Sequence, residues 1–316
     1  MYIFLIVSTL AWGIAEIFYK KGNLKDEKFS HLKVTIFVGL FMGLYAFVIL
    51  FTQHINLKTF PLNFVRYLPV ASCYILSMIF SYFGVRFIEE SISDPIENAS
   101  CAVVPVLCAL ILHESFEAWT IVGIALVFIG LICVSCFDSK GKSLRKQNLG
   151  KKLAIFAICM PFCYLIFDSV GTFLDIFYLG EESNLLVGVT EQNIEHTANC
   201  AYELTFFIVA VILFVFLKLK GEKLFPNVET NNGVLARISN QKWKILAAVF
   251  ETVGQATYLF ALSEGTGIAA VIMGAGTVII SLILSRVFLK EKLTILQYCF
   301  IFLILSGIVV ISLTGV

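Results

Sequence analysis

The residues equipped for chemistry in this chain are carboxylic acids set inside apolar runs. Glu16, Asp94, Glu97, Asp168, Asp175, Glu203 and Glu251 each lie in a stretch dominated by Leu, Ile, Val and Phe. No Lys or Arg sits at comparable depth, so structural ion pairs do not account for them. An ionisable side chain near the centre of a bilayer costs at least about 2.5–3.5 kcal/mol, so each acid needs a reason to be there. Asp168 and Glu251 fall closest to the midpoints of their runs.

Helical spacing gives these acids neighbours. Glu251, Gln255 and Tyr258 stand at i, i+4 and i+7 and form one stripe. Tyr164, Asp168 and Asp175 form another, with Gly171 and Thr172 between. Trp12, Glu16 and Tyr19 share a face, as do Tyr74, Ser77 and Ser81. Carboxylates bordered by aromatic rings suit a small organic cation, held by charge and by cation–π attraction. Carboxyls that exchange protons suit proton coupling. Competing structural roles stay open at several positions. Asp94 and Glu97 also fit as first-turn acids at a helix N-terminus, and Glu16 fits as the i, i+4 partner of Lys20. Asp175 and Glu203 lie near the ends of their runs, where solvation is expected.

The elements that must carry these residues are membrane helices. The 316 residues are 59% hydrophobic and 14% charged, with a mean hydropathy of +0.91. A soluble domain has about 25% charged residues, so there is too little polar surface here for a globule in water. A soluble enzyme or nucleic-acid binder is excluded. Apolar runs occur at 1–19, 33–53, 67–86, 92–112, 118–137, 152–178, 199–219, 243–263, 266–289 and 293–314, numbered here as helices 1 to 10. Each is long enough to satisfy its own backbone in hydrocarbon as a helix. The alternation a membrane barrel requires is absent. The first run lacks a basic leader and a small-residue cleavage site, so it reads as a retained helix rather than a signal peptide.

Basic residues set the orientation. Of 23 Lys and Arg, all but Lys58 and Arg66 fall in the loops after helices 1, 3, 5, 7 and 9. The positive-inside rule puts those loops in the cytoplasm and both termini outside. The Leu179–Asn199 loop, with Glu181, Glu182, Glu191 and Glu195 and no Lys or Arg, then lies outside. Gly141 and Ser143 in one cytoplasmic loop, and Pro226, Asn231, Asn232 and Gly233 in another, are linker residues.

The chain also repeats itself. At an offset of 177, Glu114 falls on Glu291, Gly130 on Gly307 and Ser135 on Ser312. Five spans per half is an odd number, so the second half is inverted relative to the first, as in many secondary transporters. Three short sequences carry a further resemblance: Ala11-Trp12-Gly13 with Lys20 and Lys21 at the helix end, Leu110 to Glu114 leading into helix 5, and Phe288 to Glu291 leading into helix 10. On these the chain resembles the EamA-type, ten-helix members of the drug/metabolite transporter superfamily. The resemblance covers about 1–137 and 150–315. It departs in one place, because members usually have Gly before that Glu and this chain has His113 and Lys290. The resemblance implies an all-α integral membrane fold of ten helices in two inverted five-helix repeats, 1–137 and 152–315, joined by a cytoplasmic linker at 138–151. It also implies a central cavity lined by helices 1, 3, 4, 6, 8 and 9. Six of the seven acids lie on those helices.

Helix breakers add detail. Pro69, Pro95, Pro105 and Pro161 fall in or near helices 3, 4 and 6, and Gly265, Gly267, Gly274 and Gly276 thin out helix 9. Interrupted helices expose backbone groups to substrate. Gly39 and Gly43 form a small-residue packing face on helix 2. The nine Cys all fall within apolar runs, and Cys133 with Cys136 lacks the second pair that a zinc site needs. His113-Glu114 is not followed by a second His at metalloprotease spacing, and nucleotide-binding and nucleophile-elbow motifs are missing.

The expectation is therefore a secondary active transporter of a small polar metabolite, cationic or zwitterionic, with protons as coupling ion. It works by alternating access in the plasma membrane, or the inner membrane of a bacterium. Its partners are the bilayer and the substrate, not nucleic acid, as a monomer or homodimer, with no cofactor or metal. Expected binding residues are Glu251, Asp168, Glu16, Tyr258, Gln255, Tyr164, Trp12, Tyr74, Ser77 and Glu97. The runner-up is an intramembrane enzyme using buried carboxylates, with a channel or sensor third. Orientation has a direct check: a cysteine placed in the Lys140–Lys152 loop should stay unlabelled by an impermeant thiol reagent in intact cells and react once the membrane is opened.

Overall fold

A computed structural model describes residues 2–24, 27–136, 151–180, 184–225 and 241–314, with a few side chains near segment ends and those of 264–267 excluded. The basic loop from Lys140, the linker residues of both long loops, Glu181 and Glu182 lie outside the described residues, as do the side chains at Ser135, Cys136 and Ser312. Ten apolar helical spans occur among the described residues: α1 (Tyr2–Gly22), α2 (Ser30–Thr52), α3 (Phe60–Gly84), α4 (Glu90–Leu112), α5 (Ala118–Cys136), α6 (Lys151–Leu179), α7 (Ile194–Leu219), α8 (Lys242–Ser263), α9 (Ile268–Leu289) and α10 (Ile295–Thr314). Large apolar side chains face outward along them, Phe51, Ile295 and Leu313 among the most exposed. A surface of that kind is stable against lipid tails and not against water.

Between Lys242 and Leu284, 43 residues, the backbone keeps helical geometry through α8 and α9. A straight helix of that length would span about 65 Å, twice the hydrocarbon core. Its contacts with α1 show two antiparallel arms. In α8, Trp243 stacks on Phe18 and Phe260 on Phe4. In α9, Gly276 faces Thr9 and Lys21 reaches Phe288. One arm runs against α1 and the other along it.

The helix pairs repeat. The packing of α1 on α8 has its counterpart in that of α6 on α3, and α2–α7 and α5–α10 pair each helix with its own equivalent. Glycines set the closest approaches. A Cβ on Gly39 would lie 2.6 Å from the carbonyl oxygen of Phe206, and one on Gly307 would lie 2.8 Å from that of Gly123. Side chains there would push the helices apart. The offset of 177 reappears in backbone detail. Cys108–Leu112 and Ser285–Leu289 are both single π-helical turns. Each ends on a left-handed residue, His113 or Lys290, both at φ 58. Glycine adopts that conformation without a Cβ penalty, so His113 and Lys290 hold a backbone shape that costs a residue with a Cβ.

One end of the bundle carries Lys20, Lys33, Arg86 and Lys244 and is tightly tied. Glu27 accepts from Lys33 at 2.6 Å and from Lys244 at 2.9 Å. Arg86 donates to the carbonyls of Glu27 and Lys28. Lys20 donates to the carbonyls of Val85 and Ile88 rather than pairing with Glu16. Glu291 accepts from the backbone N–H groups of Glu90 and Ser91 at 3.1 and 3.0 Å, capping α4. At the other end, Asn63 exchanges two hydrogen bonds with Val187 and Arg66 donates to Leu185.

Burial raises the pKa of the Glu27 carboxyl, but the Lys33 hydrogen bond and the Lys244 contact outweigh it and hold it below the usual glutamate range. A carboxyl lowered on folding stabilises above its unfolded pKa, about 4.3, and loses that contribution as pH falls through the folded value. Glu27→Gln should therefore melt below the unsubstituted protein at pH 7. In detergent melts the gap should close as pH is taken down through that window.

Candidate functional site

The centre of the bundle holds a cavity whose walls come from α1, α3, α4, α6, α7, α8 and α9. Trp12, Glu16 and Tyr19 enter from α1, Tyr164, Asp168 and Thr172 from α6, and Glu251, Gln255 and Tyr258 from α8. Each trio is one helical face. Tyr74 and Ser81 reach it from α3. No Lys or Arg is among the lining residues.

Each acid sits in a different setting. Asp168 accepts from the Ser100 hydroxyl at 2.5 Å. Glu251, 4% exposed, accepts from the Tyr19 hydroxyl. Glu16 Oε2 is buried without a hydrogen-bond partner among the described residues. Tyrosines join the walls. Tyr74 donates to Asp175 at 2.8 Å, and its hydroxyl lies 3.0 Å from that of Tyr258 and 3.1 Å from that of Thr172. Tyr67 also donates to Asp175. The Trp12 and Tyr258 rings meet at 4.9 Å, and Gly254 makes room for Trp12, since a Cβ there would lie 2.5 Å from its ring.

Eight of the ten residues singled out from sequence line this cavity: Glu251, Asp168, Glu16, Tyr258, Gln255, Tyr164, Trp12 and Tyr74. Ser77 and Glu97 are not brought to it. The Ser77 hydroxyl bonds back to the carbonyl of Tyr74, and Glu97 accepts from Ser93. Three expectations are corrected. Asp175 is fully buried and held by two tyrosines, not solvated, because α3 covers the end of α6. Glu203 is also fully buried, and neither of its carboxylate oxygens has a hydrogen-bond partner among the described residues. Asp94 and Glu97 do not cap α4, since Glu291 does.

Sequence reading passed over Tyr82, Asn98, Ser100, Tyr202, Met273 and Thr277, which also line the cavity. Asn98 and Ser100 had a visible signal in the polar stretch from Glu89 to Ser100. The regular α-helix of α4 stops at Glu97 and resumes at Ser100, and Cys101 and Ala102 bond to carbonyls three residues back. This tight turn follows Pro95 and opens on the cavity. Tyr202 had no such signal, because helix 7 lay outside the set expected to form the walls.

Ten apolar helices, packed in equivalent pairs around a polar centre, make a multi-pass membrane protein. The EamA-like transporter family matches residues 1–136 and 195–313, and the chain belongs to that family, within the drug/metabolite transporter superfamily. No curated protein matches the chain. A solved structure, titled only as a crystal structure of a protein, is similar at 12% identity with a TM-score of 0.64, covering 99% of this chain and 96% of that one. At that identity the likeness speaks to the fold alone.

Gly254→Ala should displace the Trp12 ring and open its stack with Tyr258. With Trp119 and Trp243 replaced by Phe, the emission of Trp12 should shift in the variant while the protein stays monodisperse.

Proposed function

We propose that this transporter carries a small polar metabolite, cationic or zwitterionic, through the central cavity by alternating access, with protons as the coupling ion. The observation that carries the reading is the lining itself: Glu16, Asp168 and Glu251 face one buried space with Trp12, Tyr74, Tyr164 and Tyr258, and no basic side chain shares it. An amine placed there gains charge attraction and ring faces together, in surroundings that screen both weakly. Gln255 and the tyrosine hydroxyls add neutral donors for the acidic end of a zwitterion. Glu251 and Asp168 form the core of the site in this reading, and Glu16 gates it toward the basic end.

The basic end faces the cytoplasm and both termini lie outside, in the plasma membrane or a bacterial inner membrane. The ties made there by Glu27, Arg86, Lys20 and Glu291 are the contacts that inward opening must break. ATP takes no part, and gradients set the direction of transport.

A thermal-shift screen of amines, amino acids, nucleosides, sugars and vitamins, followed by flux into liposomes, identifies the cargo. Glu251→Gln keeps shape and hydrogen bonding while removing the titratable group. It should cut flux at least about tenfold, the effect of losing one charge-assisted contact of ~1.5–3 kcal/mol, and abolish the pH dependence. Asp168→Asn should do the same. Transport by Glu251→Gln at the unsubstituted rate with an unchanged pH profile makes that acid structural and sinks the reading.

A further inference from the structure

A second group of oxygen atoms gathers where α1, α4 and α9 meet, toward the basic end. One carboxylate oxygen each from Glu16, Glu90 and Asp94 lies within 4.8 Å of the others. Glu90 and Asp94 stand at i and i+4 on α4 and share a face, each 1% exposed. Asp94 accepts from the Asn98 amide at 2.6 Å and from the Ser281 hydroxyl of α9. No donor group meets Glu90: neither of its side-chain oxygens accepts from a donor among the described residues, and the same holds for Glu16 Oε2, so the two carboxyls have only each other.

A separate observation comes from α9. Thr277 and Ser285 sit one turn to either side of Ser281, on the face whose hydroxyl reaches Asp94. They are 2% and 1% exposed, and both hydroxyls lack a partner among the described residues. Thr277 lines the central cavity together with Glu16. Unsatisfied carboxylate oxygens of α1 and α4 thus meet, with unpartnered hydroxyls of α9 a turn to either side of Ser281, although buried polar groups are otherwise almost always paired.

A cation set among the three carboxylates satisfies Glu16 and Glu90 at once. Every ligand atom on offer is oxygen, which selects a hard ion. Oxygens held at 2.3–2.6 Å from one ion can stand up to about 5 Å apart, so a single ion can touch all three carboxylates. Three carboxylates gathered at one point favour a divalent over a monovalent ion. We propose that Glu16, Glu90 and Asp94, with the hydroxyls of Ser281 and Thr277, form a binding site for a hard divalent cation. The site is distinct from the substrate site but shares Glu16 with its wall, so its occupancy sets the charge that a substrate meets there. Binding itself does not depend on the transport reading.

Mn2+ is the probe, titrated into the purified full-length protein in detergent and followed by loss of the free-ion EPR signal. One ion should bind per chain, with Ca2+ or Mg2+ competing for it. Glu90→Gln and Asp94→Asn should each weaken binding at least tenfold, and Glu203→Gln, a buried acid outside the cluster, should leave it unchanged. Thr277→Val removes a ligand without altering charge and should weaken binding severalfold. It decides the matter where a carboxyl variant fails to fold. Absence of Mn2+ binding to the unsubstituted protein overturns the proposal, as does proton uptake alone. Folded variants at Glu90, Asp94 or Thr277 that bind with unchanged affinity overturn it equally. None of these outcomes depends on finding the cargo.

Discussion

Carboxylates inside hydrocarbon must be met by a donor, by water or by an ion, and the arrangement of this protein follows from that need. Lipid tails offer nothing to an ionised group, so acids on α1, α4, α6 and α8 turn inward. Their apolar neighbours are then left to face outward, as Phe51 and Ile295 do. Tyrosines rather than lysines answer the buried acids at the centre. A tyrosine brings a donor without a second charge, so Asp175 between Tyr67 and Tyr74 is satisfied without an ion pair to desolvate. The perimeter uses the opposite chemistry. Gly39 and Gly43 on α2, and Gly123 and Gly307 between α5 and α10, bring backbones into contact. Tight packing outside and large polar rings inside together leave a space at the centre.

The irregular stretch of α4 joins the two halves. Pro95 and Pro105 each remove an N–H from the helix, and the turn at Asn98 and Ala99 between them brings Asn98 and Ser100 to the cavity. The N-terminus of α4 is capped from the far half of the chain by Glu291, whose carboxylate complements the exposed N–H groups and the helix dipole. Glu291 follows a π turn and a left-handed residue, and Glu114 follows the same pair in the first half. The motif that reveals the repeat in sequence is therefore a backbone device that aims a carboxylate. A movement that releases Glu291 would free the start of α4, and with it Glu90 and Asp94, so that closure at this end is coupled to the acids nearest it.

Much of this was readable in the sequence because the signals are local. Ten runs of apolar residues gave the helices, and acids isolated in them gave Glu16, Asp168 and Glu251. The failures were failures of depth. Asp175 looked superficial because its run ended at residue 178, yet its exposure is decided by α3, which no local pattern reveals. Glu203 looks superficial from an apolar run that starts at residue 199, whereas α7 begins at Ile194 and places Glu203 more than two turns inside. Glu90 fell just outside the run that began at residue 92, although it starts α4 and is fully enclosed. Polar residues at a helix start lower the local hydropathy, so boundaries drawn from hydropathy cut off the acids that matter there.

The buried acids divide by how completely they are answered. Asp175 has two tyrosine donors, Asp94 has an amide and a hydroxyl, and Asp168 has a serine. A satisfied acid fixes the helices that satisfy it and resists rearrangement. Glu16 and Glu90 are different, because unfilled oxygen positions leave their carboxylates able to change partners. Glu16 stands between the central cavity and the Glu90–Asp94 pair, on the helix that packs against both α8 and α9. A charge placed on either side of it would change the field on the other. α1 therefore links the middle of the bundle to its basic end.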